Sequence, residues 1–255
     1  VVLGEIIAQQ IERRTDIRVD RRFNLGGTLL AHESLKNGAI DLYPEYTGTA
    51  LTAVLKRPVA SDPAVVLDQV REGYRQWELA WLDPLGFNNT FAIVVRSAEA
   101  RERHLKTITE AARRVQPWRL GVGYEFVQRP DGLDGLVKTY GLRLDGQPVT
   151  MDLGLLYPAL ESRKIDMAAA NATDGLLVRP EFAVLTDDRS YFPPYECAVV
   201  VRQAALARFP HLREALAELS GHVSDSAMRS MNAAVDLEHR SVTDVAKEFL
   251  ARQAH

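Results

Sequence analysis

Aromatic residues recur in this chain where predicted strands end or predicted helices begin. Ring faces that converge on one cleft attract a quaternary ammonium group through cation–π contacts, each worth on the order of 2 kcal/mol when the cation is desolvated. The set therefore indicates a site for an organic cation, although any single tyrosine is better explained as a half-buried packing residue with a wet hydroxyl. The residues are Tyr43, Tyr46, Phe91, Tyr124, Tyr157, Tyr191 and Tyr195.

One arginine and one helix start offer partners for an anionic group. Arg129 precedes Asp131-Gly132 in a loop, and a guanidinium can bind a carboxylate through two parallel hydrogen bonds. The backbone amides at Thr47–Thr49, where a helix is expected to begin, can also point at an anion. The chain thus carries candidate partners for a carboxylate as well as for a cation.

Signals for catalysis or for a metal are weak. The six histidines lie mostly in polar helical stretches, and we expect surface positions for at least five of them. GxSxG, HExxH and CxxC motifs and phosphate-binding glycine loops are absent from the sequence. The Asp187-Asp188 pair is better explained as a charged loop than as a metal site. We therefore predict a protein that is not an enzyme and has no metal or cofactor.

The composition excludes several other classes of protein. The chain has 255 residues, 46% hydrophobic and 25% charged, which is typical of a globular protein. A net charge of -3 with mixed signs provides no basic face for nucleic acid. The apolar runs are too short to span a bilayer. Cys197, the single cysteine, lies in the apolar run CAVVV and is expected to be a buried strand residue.

Two segments of the chain repeat one plan. Each has the end of a helix, then Ile-Asp at the start of a short strand, then a polar loop, then Thr and Gly before an apolar run. Tyr46 and Asn171 each lie five residues beyond the aspartate of their segment. Ligands of α/β proteins bind beyond the carboxyl ends of strands, so the repeat predicts two edges of one cleft, unless it is a coincidence of two ordinary turns. The segments are LKNGAIDLYPEYTGTAL (35–51) and LESRKIDMAAANATDGLL (160–177).

Local signals mark several helix boundaries. Asp62 followed by Pro63 is an N-cap and first-turn proline, and Ser224 and Thr243 are candidate caps in a helical C-terminal tail. Gly38 is well placed to end a helix. An apolar stripe at helical spacing predicts the first helix and consists of Leu3, Ile6, Ile7, Gln10 and Ile11.

Strands and helices alternate along the chain, which favours an α/β fold with mostly parallel sheets. A short strand is expected at Ile17–Val19. Two long apolar strands, Phe91–Arg96 and Cys197–Val201, flank the middle third and are expected to cross between two lobes. The first lobe would then be discontinuous, comprising residues 1–96 and 197–255, and the second would comprise residues 97–196.

Long motifs resemble those of the substrate-binding proteins of osmoprotectant ABC importers, which take up glycine betaine, choline, carnitine and related compounds. The resemblance covers nearly the whole chain in order. It implies a type II periplasmic-binding-protein-like fold, with two α/β lobes, two crossover strands and a helical tail. The family's first strand and one ligand loop are expected to precede Val1. The motifs are RRFNLGGTLLAHESLKNGAIDLYPEYTGTAL, WLDPLGFNNTFAIVVR, YEFVQRPDGLDGLVKTYGL, MDLGLLY, NATDG and DDRSYFPPY.

The resemblance assigns roles to residues before the middle third. Tyr46 and Thr49 of PEYTGT match a tyrosine of the family's aromatic cage and a threonine that binds the ligand carboxylate. Asn89 and Phe91 fall in the family's NNTY motif, where Phe91 replaces a tyrosine that often lines the cage.

The resemblance also implies roles in the second half of the site. Arg129 stands where an arginine often meets the ligand carboxylate, and Tyr157 and Tyr195 match further pocket tyrosines. Asn171 stands where many family members carry a cage tyrosine. The aromatic enclosure is thus expected to be less complete than in those members.

The expected function is that of an extracytoplasmic solute-binding protein that captures a quaternary-ammonium, betaine-type compound for an ABC importer permease. A larger betaine, such as a trimethylated histidine derivative like ergothioneine, is a rival ligand because Asn171 opens space and offers an amide. A ligand-sensing module fused to a permease is a rival role. The family implies a periplasmic, lipid-anchored or permease-fused location, and we expect a monomer that binds no nucleic acid.

Overall fold

The computed structural model describes residues 1–253, which form two compact units. The first unit contains residues 1–89 and the chain from Pro194 onward, and the second contains Thr90–Pro193. The chain therefore passes between the units just after Asn89 and again just before Pro194. These boundaries differ from the predicted lobes, 1–96 with 197–255 and 97–196.

The chain passes between the units just before each of the two strands predicted as crossovers, and each strand lies at the centre of the sheet of one unit. Phe91–Arg96 (β3) pairs on both sides inside the second unit, and Glu196–Arg202 (β8) pairs on both sides inside the first. A strand that is covered on both faces reads as a continuous apolar run. The apolar run thus indicates burial at the centre of a sheet, and the chain crosses between the units at Asn89–Thr90 and at Pro193–Pro194.

The sheet of the first unit is antiparallel, contrary to the predicted parallel arrangement. Leu42–Tyr46 (β1) and Leu79–Asn88 (β2) flank β8 in the order β1-β8-β2. The central strand comes from the far end of the sequence, so its direction is not fixed by the local strand–helix alternation. Residues 17–19, where a strand was predicted, have no regular structure.

Helices cover both faces of this sheet. One face packs on the first helix, Val2–Arg14, and on the last three, Leu212–Ala217, Asp225–Asp236 and Val242–Arg252. The predicted apolar stripe of the first helix is buried there. The other face packs on the helices Thr28–Lys36 and Pro63–Tyr74 and on the π-helix Ala50–Val54. The helices are α1 (Val2–Arg14), α2 (Thr28–Lys36), α3 (Thr47–Thr49), α4 (Pro63–Tyr74), α10 (Gln203–Arg208), α11 (Leu212–Ala217), α12 (Asp225–Asp236) and α13 (Val242–Arg252), with a 3-10 turn at Arg75–Trp77.

The second unit has a five-stranded mixed sheet in the order β5-β4-β6-β3-β7. β4 runs parallel to β5 and β6, whereas β3 runs antiparallel to β6 and β7. The remaining strands are β4 (Leu120–Val122), β5 (Val149–Thr150), β6 (Met167–Asn171) and β7 (Phe182–Leu185). The helices are α5 (Ser97–Glu102), α6 (Ile108–Ala112), α7 (Tyr124–Gln128), α8 (Leu133–Tyr140) and α9 (Leu153–Glu161), with a 3-10 turn at Gly175–Val178.

Most of the predicted caps are present. The Asp62 carboxylate accepts hydrogen bonds from the amides of Ala64 and Val65, and the Ser224 hydroxyl accepts one from Ala227. The last helix is capped by Ser241 and not by the predicted Thr243. In the described part of the chain, none of the helices combines the length and apolar character needed to cross a membrane.

Candidate ligand-binding site

The two repeated segments each form a strand that pairs with its neighbouring strand in the same way. In the first unit β1 runs antiparallel to β8, and its last residue, Tyr46, lies opposite Cys197. In the second unit β6 runs antiparallel to β3, and its last residue, Asn171, lies opposite Phe91. Both residues belong to the strands, which extend further than the sequence pattern predicted. The repeat therefore brings Tyr46 and Asn171 to equivalent strand ends.

Tyr46 lies at the end of the first unit's sheet next to Asn89. The two side chains are hydrogen-bonded, and the Tyr46 ring meets the edge of Phe87 at a centroid distance of 6.3 Å. Burial raises the pKa of Tyr46, with smaller contributions from Cys197 and Glu45, so the phenol is neutral at physiological pH. Tyr46 thus offers a fixed, uncharged ring to this end of the sheet.

Tyr195 joins the same end through backbone contacts. Its amide donates to Asn88 Oδ1 at 2.7 Å, and its carbonyl accepts from the Asn89 amide at 3.1 Å. The ring lies against Gly48, where an added Cβ would be 2.9 Å from Cε1 of Tyr195. A glycine is therefore required between Tyr46 and Thr49.

Thr49 is the last residue of the short helix α3, which begins at Thr47 as predicted. Its side chain is half-buried. The Thr47 hydroxyl donates to the carbonyl of Pro194 at 3.1 Å, which ties the start of α3 to the segment that carries Tyr195. The first unit thus assembles one group of predicted site residues, the first-unit group, consisting of Tyr46, Thr49, Asn89 and Tyr195.

The second unit assembles the other predicted residues, the second-unit group, consisting of Phe91, Arg129, Tyr157 and Asn171. Phe91 and Asn171 are paired across adjacent strands. The guanidinium carbon of Arg129 lies 5.7 Å from the centroid of the Phe91 ring. An edge-to-face contact with Phe126, with ring centroids 4.8 Å apart, orients the Phe91 ring. An aromatic face, a guanidinium and an amide therefore lie together.

Arg129 already binds a carboxylate of its own chain. Its Nε and Nη2 atoms donate to Oδ1 and Oδ2 of Asp131 at 3.0 and 3.1 Å, and the Asp131 side chain is completely buried. This bidentate contact orients the guanidinium. The loop sequence did not indicate this contact.

Tyr157 is more buried than a residue that lines an open pocket. Its ring packs on Phe182 in the core of the second unit and is 2% exposed. Its hydroxyl donates to Asp174 Oδ2 at 2.8 Å, and the same oxygen accepts from the backbone amide of Asn171 at 3.2 Å. Asp174 thus ties Tyr157 to the end of β6.

Three tyrosines of the aromatic set have other surroundings. The Tyr43 hydroxyl donates to Glu45, and the Tyr191 hydroxyl donates to the carbonyl of Gly132. Tyr124, the first residue of α7, is 60% exposed. Tyr43 and Tyr191 are thus held by hydrogen bonds to other residues and Tyr124 is exposed, so these three are not part of either candidate group.

Two acidic residues close to these groups were not predicted as functional. Asp174 appeared in the sequence only as part of the NATDG motif. Glu45 is 2% exposed, although it follows Pro44 in a strand with no apolar alternation that would indicate its burial. A carboxylate in the polar sequence PEYTGT could have attracted attention only through its position beside Tyr46.

The described residues, 1–253, include no cluster of three or more histidine, cysteine or acidic side chains that could hold a metal ion. His104, His211, His222 and His239 are exposed, His32 is buried, and His255 lies outside the described residues. The Asp187 carboxylate accepts hydrogen bonds from the Tyr191 and Phe192 amides, which explains it as a loop-stabilising residue. Cys197 is buried and free, and burial raises its pKa.

The two-unit α/β fold is that of the type II periplasmic class of solute-binding proteins. The structure superposes on a crystal structure described as a glycine betaine/carnitine/choline ABC transporter with a TM-score of 0.90 and 31% sequence identity, covering 99% of this chain and 94% of the other. The family model for the substrate binding domain of ABC-type glycine betaine transport systems matches residues 1–252. The chain belongs to this family, which confirms the resemblance and the predicted fold class.

The names of two relatives mention different ligands. An ergothioneine transport permease/ergothioneine binding protein of Helicobacter pylori is 32% identical over 253 residues, which are 98% of this chain and 45% of that protein. A glycine-betaine-binding protein of Pseudomonas aeruginosa is 32% identical over 265 residues, covering 100% of this chain and 84% of that protein. The chain therefore spans less than half the length of the Helicobacter relative.

Proposed function

We propose that this chain is the extracytoplasmic solute-binding component of an ABC importer and that it captures a quaternary-ammonium, betaine-type compound. Membership of the family supports the binding role and gives no support to an enzyme. The observation that carries the ligand class is the pair of tyrosines at one sheet end, Tyr46 and Tyr195, held by Asn89 and by the close approach at Gly48. Two neutral rings are suited to a cation that cannot donate hydrogen bonds.

Each residue group offers partners for one part of a betaine. In this proposal the first-unit group contacts the trimethylammonium group, and Thr49 contributes a hydroxyl. In the second-unit group, Arg129, oriented by its bidentate contact with Asp131, is the proposed partner of a ligand carboxylate. The neighbouring Phe91 ring adds a further aromatic face. Charge-assisted hydrogen bonds to a carboxylate would favour betaines over choline, which lacks one.

A larger betaine such as ergothioneine is the second candidate ligand. Asn171 supports it, because an amide at the end of β6 can donate and accept hydrogen bonds but presents no π face to a small cation. The printed name of the Helicobacter pylori relative agrees with this candidate. Both candidates keep the trimethylammonium group and the carboxylate, and differ in the body of the ligand.

A thermal-shift screen followed by titration calorimetry tests the ligand class. A compound that binds only the native state, at about 100 times its Kd, stabilises the fold by about 2.7 kcal/mol. We expect a rise in Tm with glycine betaine, carnitine or ergothioneine, and none with glycine or unmodified histidine as matched controls. A shift with the unmethylated controls alone would contradict the proposal.

The binding role implies a partner and a location. We propose that the chain works as a monomer outside the cytoplasmic membrane and delivers its ligand to an ABC permease, as a periplasmic, lipid-anchored or permease-fused domain. The Helicobacter relative, whose name combines a permease and a binding protein, makes the fused arrangement a specific alternative, including a ligand-sensing role. Uptake of labelled ligand by cells that produce the full gene product, compared with a deletion of this domain, tests the delivery role.

A further inference from the structure

The end of strand β2 is held along one side by the segment that leads into α12. The backbone amide of Val223 donates a hydrogen bond to the carbonyl of Leu85 at 2.9 Å. At the last residue of the strand the donor and acceptor exchange sides, because the backbone amide of Asn88 donates to Oδ1 of Asp225 at 2.8 Å. The segment therefore holds β2 up to its end.

The last of these contacts uses a side chain because the main chain turns into a helix there. Ser224 is the N-cap of α12, and Asp225 is its first residue. From this position onward the backbone carbonyls take part in the hydrogen bonds of the helix. The half-buried Asp225 side chain still reaches the strand. Asp225 thus provides an acceptor for Asn88 where a main-chain acceptor is no longer in place.

Asn88 connects this restraint to Tyr195. Its backbone amide is bound by Asp225, and its side-chain Oδ1 accepts the amide of Tyr195 at 2.7 Å. The neighbouring Asn89 adds a second restraint, since its amide donates to the Tyr195 carbonyl at 3.1 Å and its side chain is hydrogen-bonded to Tyr46. Two consecutive asparagines therefore hold the main chain of one tyrosine of the first-unit group and the side chain of the other.

We propose that Asp225 is a positioning residue for Tyr195: through Asn88 it fixes the main chain from which the Tyr195 ring projects, and it thereby raises the affinity for a quaternary-ammonium ligand. This inference rests on the proposed function, since it requires the Tyr195 ring to bind the cation. Asp225 acts through its hydrogen bond and not through its charge, and it makes no contact with the ligand. The start of α12 therefore has a role in binding as well as in the stability of the helix.

Titration calorimetry on Asp225→Ala and Asp225→Asn tests this role, with glycine betaine, carnitine and ergothioneine as the probes. We expect Asp225→Ala to bind about fivefold more weakly than the wild type, because the Tyr195 ring is still present but is held less firmly. Asp225→Asn keeps Oδ1 as an acceptor and removes the charge, so its affinity should lie within about twofold of the wild type. Asn88→Ala removes the second contact of the same chain and should give a loss similar to that of Asp225→Ala.

Ser224→Ala is the matched control, since it removes the cap hydrogen bond to the Ala227 amide and leaves the contact between Asp225 and Asn88. Ser224→Ala and Asp225→Ala should both lower the Tm, because both weaken the first turn of α12. Only Asp225→Ala should weaken ligand binding. In a Tyr195→Ala background, Asp225→Ala should cause no further loss of affinity, because the ring that it positions is absent.

The outcomes distinguish this inference from the proposed function. Equal affinities of Asp225→Ala and Ser224→Ala, equal losses in Asp225→Ala and Asp225→Asn, or an undiminished effect of Asp225→Ala in the Tyr195→Ala background would overturn the positioning role and leave the ligand class intact. A wild-type protein that binds none of the three probes would overturn the proposed function and this inference with it.

Discussion

The two repeated segments differ most at their shared aspartate. In the first unit, Asp41 receives one hydrogen bond from Arg202 at 3.4 Å, and its side chain is 61% exposed. In the second unit, Asp166 is bound by Arg96 and Arg119 at 2.7 to 2.9 Å, and its side chain is 11% exposed. One sequence motif in one strand register therefore forms a surface contact in one unit and a buried ion-pair network in the other.

The strand ends that follow these aspartates differ in a second way. The first-unit strand ends on an aromatic ring, Tyr46, and the second-unit strand ends on an amide, Asn171. On the partner strands the aromatic residue is in the other unit: Cys197 lies opposite Tyr46 in the first unit, and Phe91 lies opposite Asn171 in the second. Each unit thus carries one aromatic ring at this strand pair. The comparison teaches that the repeat conserves backbone geometry, whereas burial and side-chain chemistry were set separately in each unit.

The largest expected effect is on stability in the second unit. Asp166→Ala removes the buried carboxylate that Arg96 and Arg119 share, and it leaves Arg96, whose side chain is 13% exposed, with Glu99 as its carboxylate partner. Removal of one member of a buried ion pair is strongly destabilising, so we expect a loss of about 3 kcal/mol in the free energy of unfolding. Urea denaturation measures it. A loss below about 1 kcal/mol would mean that the network behaves like a surface pair.

The same network predicts that the wild type loses stability when the pH becomes strongly acidic. Burial raises the pKa of Asp166, but hydrogen bonds from Arg119 and Arg96 outweigh it and lower the pKa to about 2. A lowered folded-state pKa gives stability that is present above the ordinary value of 3.8 and is lost as the pH falls through about 2. Asp166→Ala should lose this part of the pH dependence, which urea denaturation at several pH values would detect.

The next effect concerns the ring in the first-unit group. Tyr46→Ala should weaken binding of a trimethylammonium ligand by about 1–2 kcal/mol, and Tyr46→Phe should retain most of the affinity because it keeps the π face. Calorimetry on both variants, with Tyr124→Ala as an exposed-tyrosine control, provides the measurement. Equal losses in the Phe and Ala variants would assign the contribution to the hydroxyl, and a primary-amine analogue that binds equally well would argue against a cage.

A smaller effect is expected when the two strand ends are made alike. Asn171→Tyr places a ring at the position equivalent to Tyr46, so glycine betaine should bind about 1 kcal/mol more tightly if the ring reaches the cation. The same change should weaken ergothioneine by filling space next to Phe91. Calorimetry with both ligands would show it, and unchanged affinity for both would mean that Asn171 lies outside the site.

The smallest effect should follow the matched change in the first repeat. Asp41→Ala removes an exposed pair with Arg202, and we expect a loss of no more than about 0.5 kcal/mol in the free energy of unfolding. Urea denaturation beside Asp166→Ala gives the direct comparison. A cost for Asp41→Ala as large as that for Asp166→Ala would remove the distinction between the two repeats.

The sequence by itself determined the local features. The stripe on α1, the caps at Asp62 and Ser224 and the internal repeat all follow from periodicity or from contacts a few residues apart, and the structure contains them. The burial of Cys197 also followed from its apolar run. The family resemblance added candidate site residues, and within each unit the structure brings several of them together, although their roles as ligand contacts stay predictions.

Only the tertiary structure decided the features that depend on distant segments. The direction of the first unit's sheet depends on β8, which returns from the end of the chain to lie between β1 and β2. The same holds for the buried position of Glu45. Asp41 and Asp166 follow the same local pattern, and their different burial comes from the residues packed around them. Local patterns fix backbone conformation, whereas desolvation and ion pairing depend on the complete surroundings of a side chain, which no short segment contains.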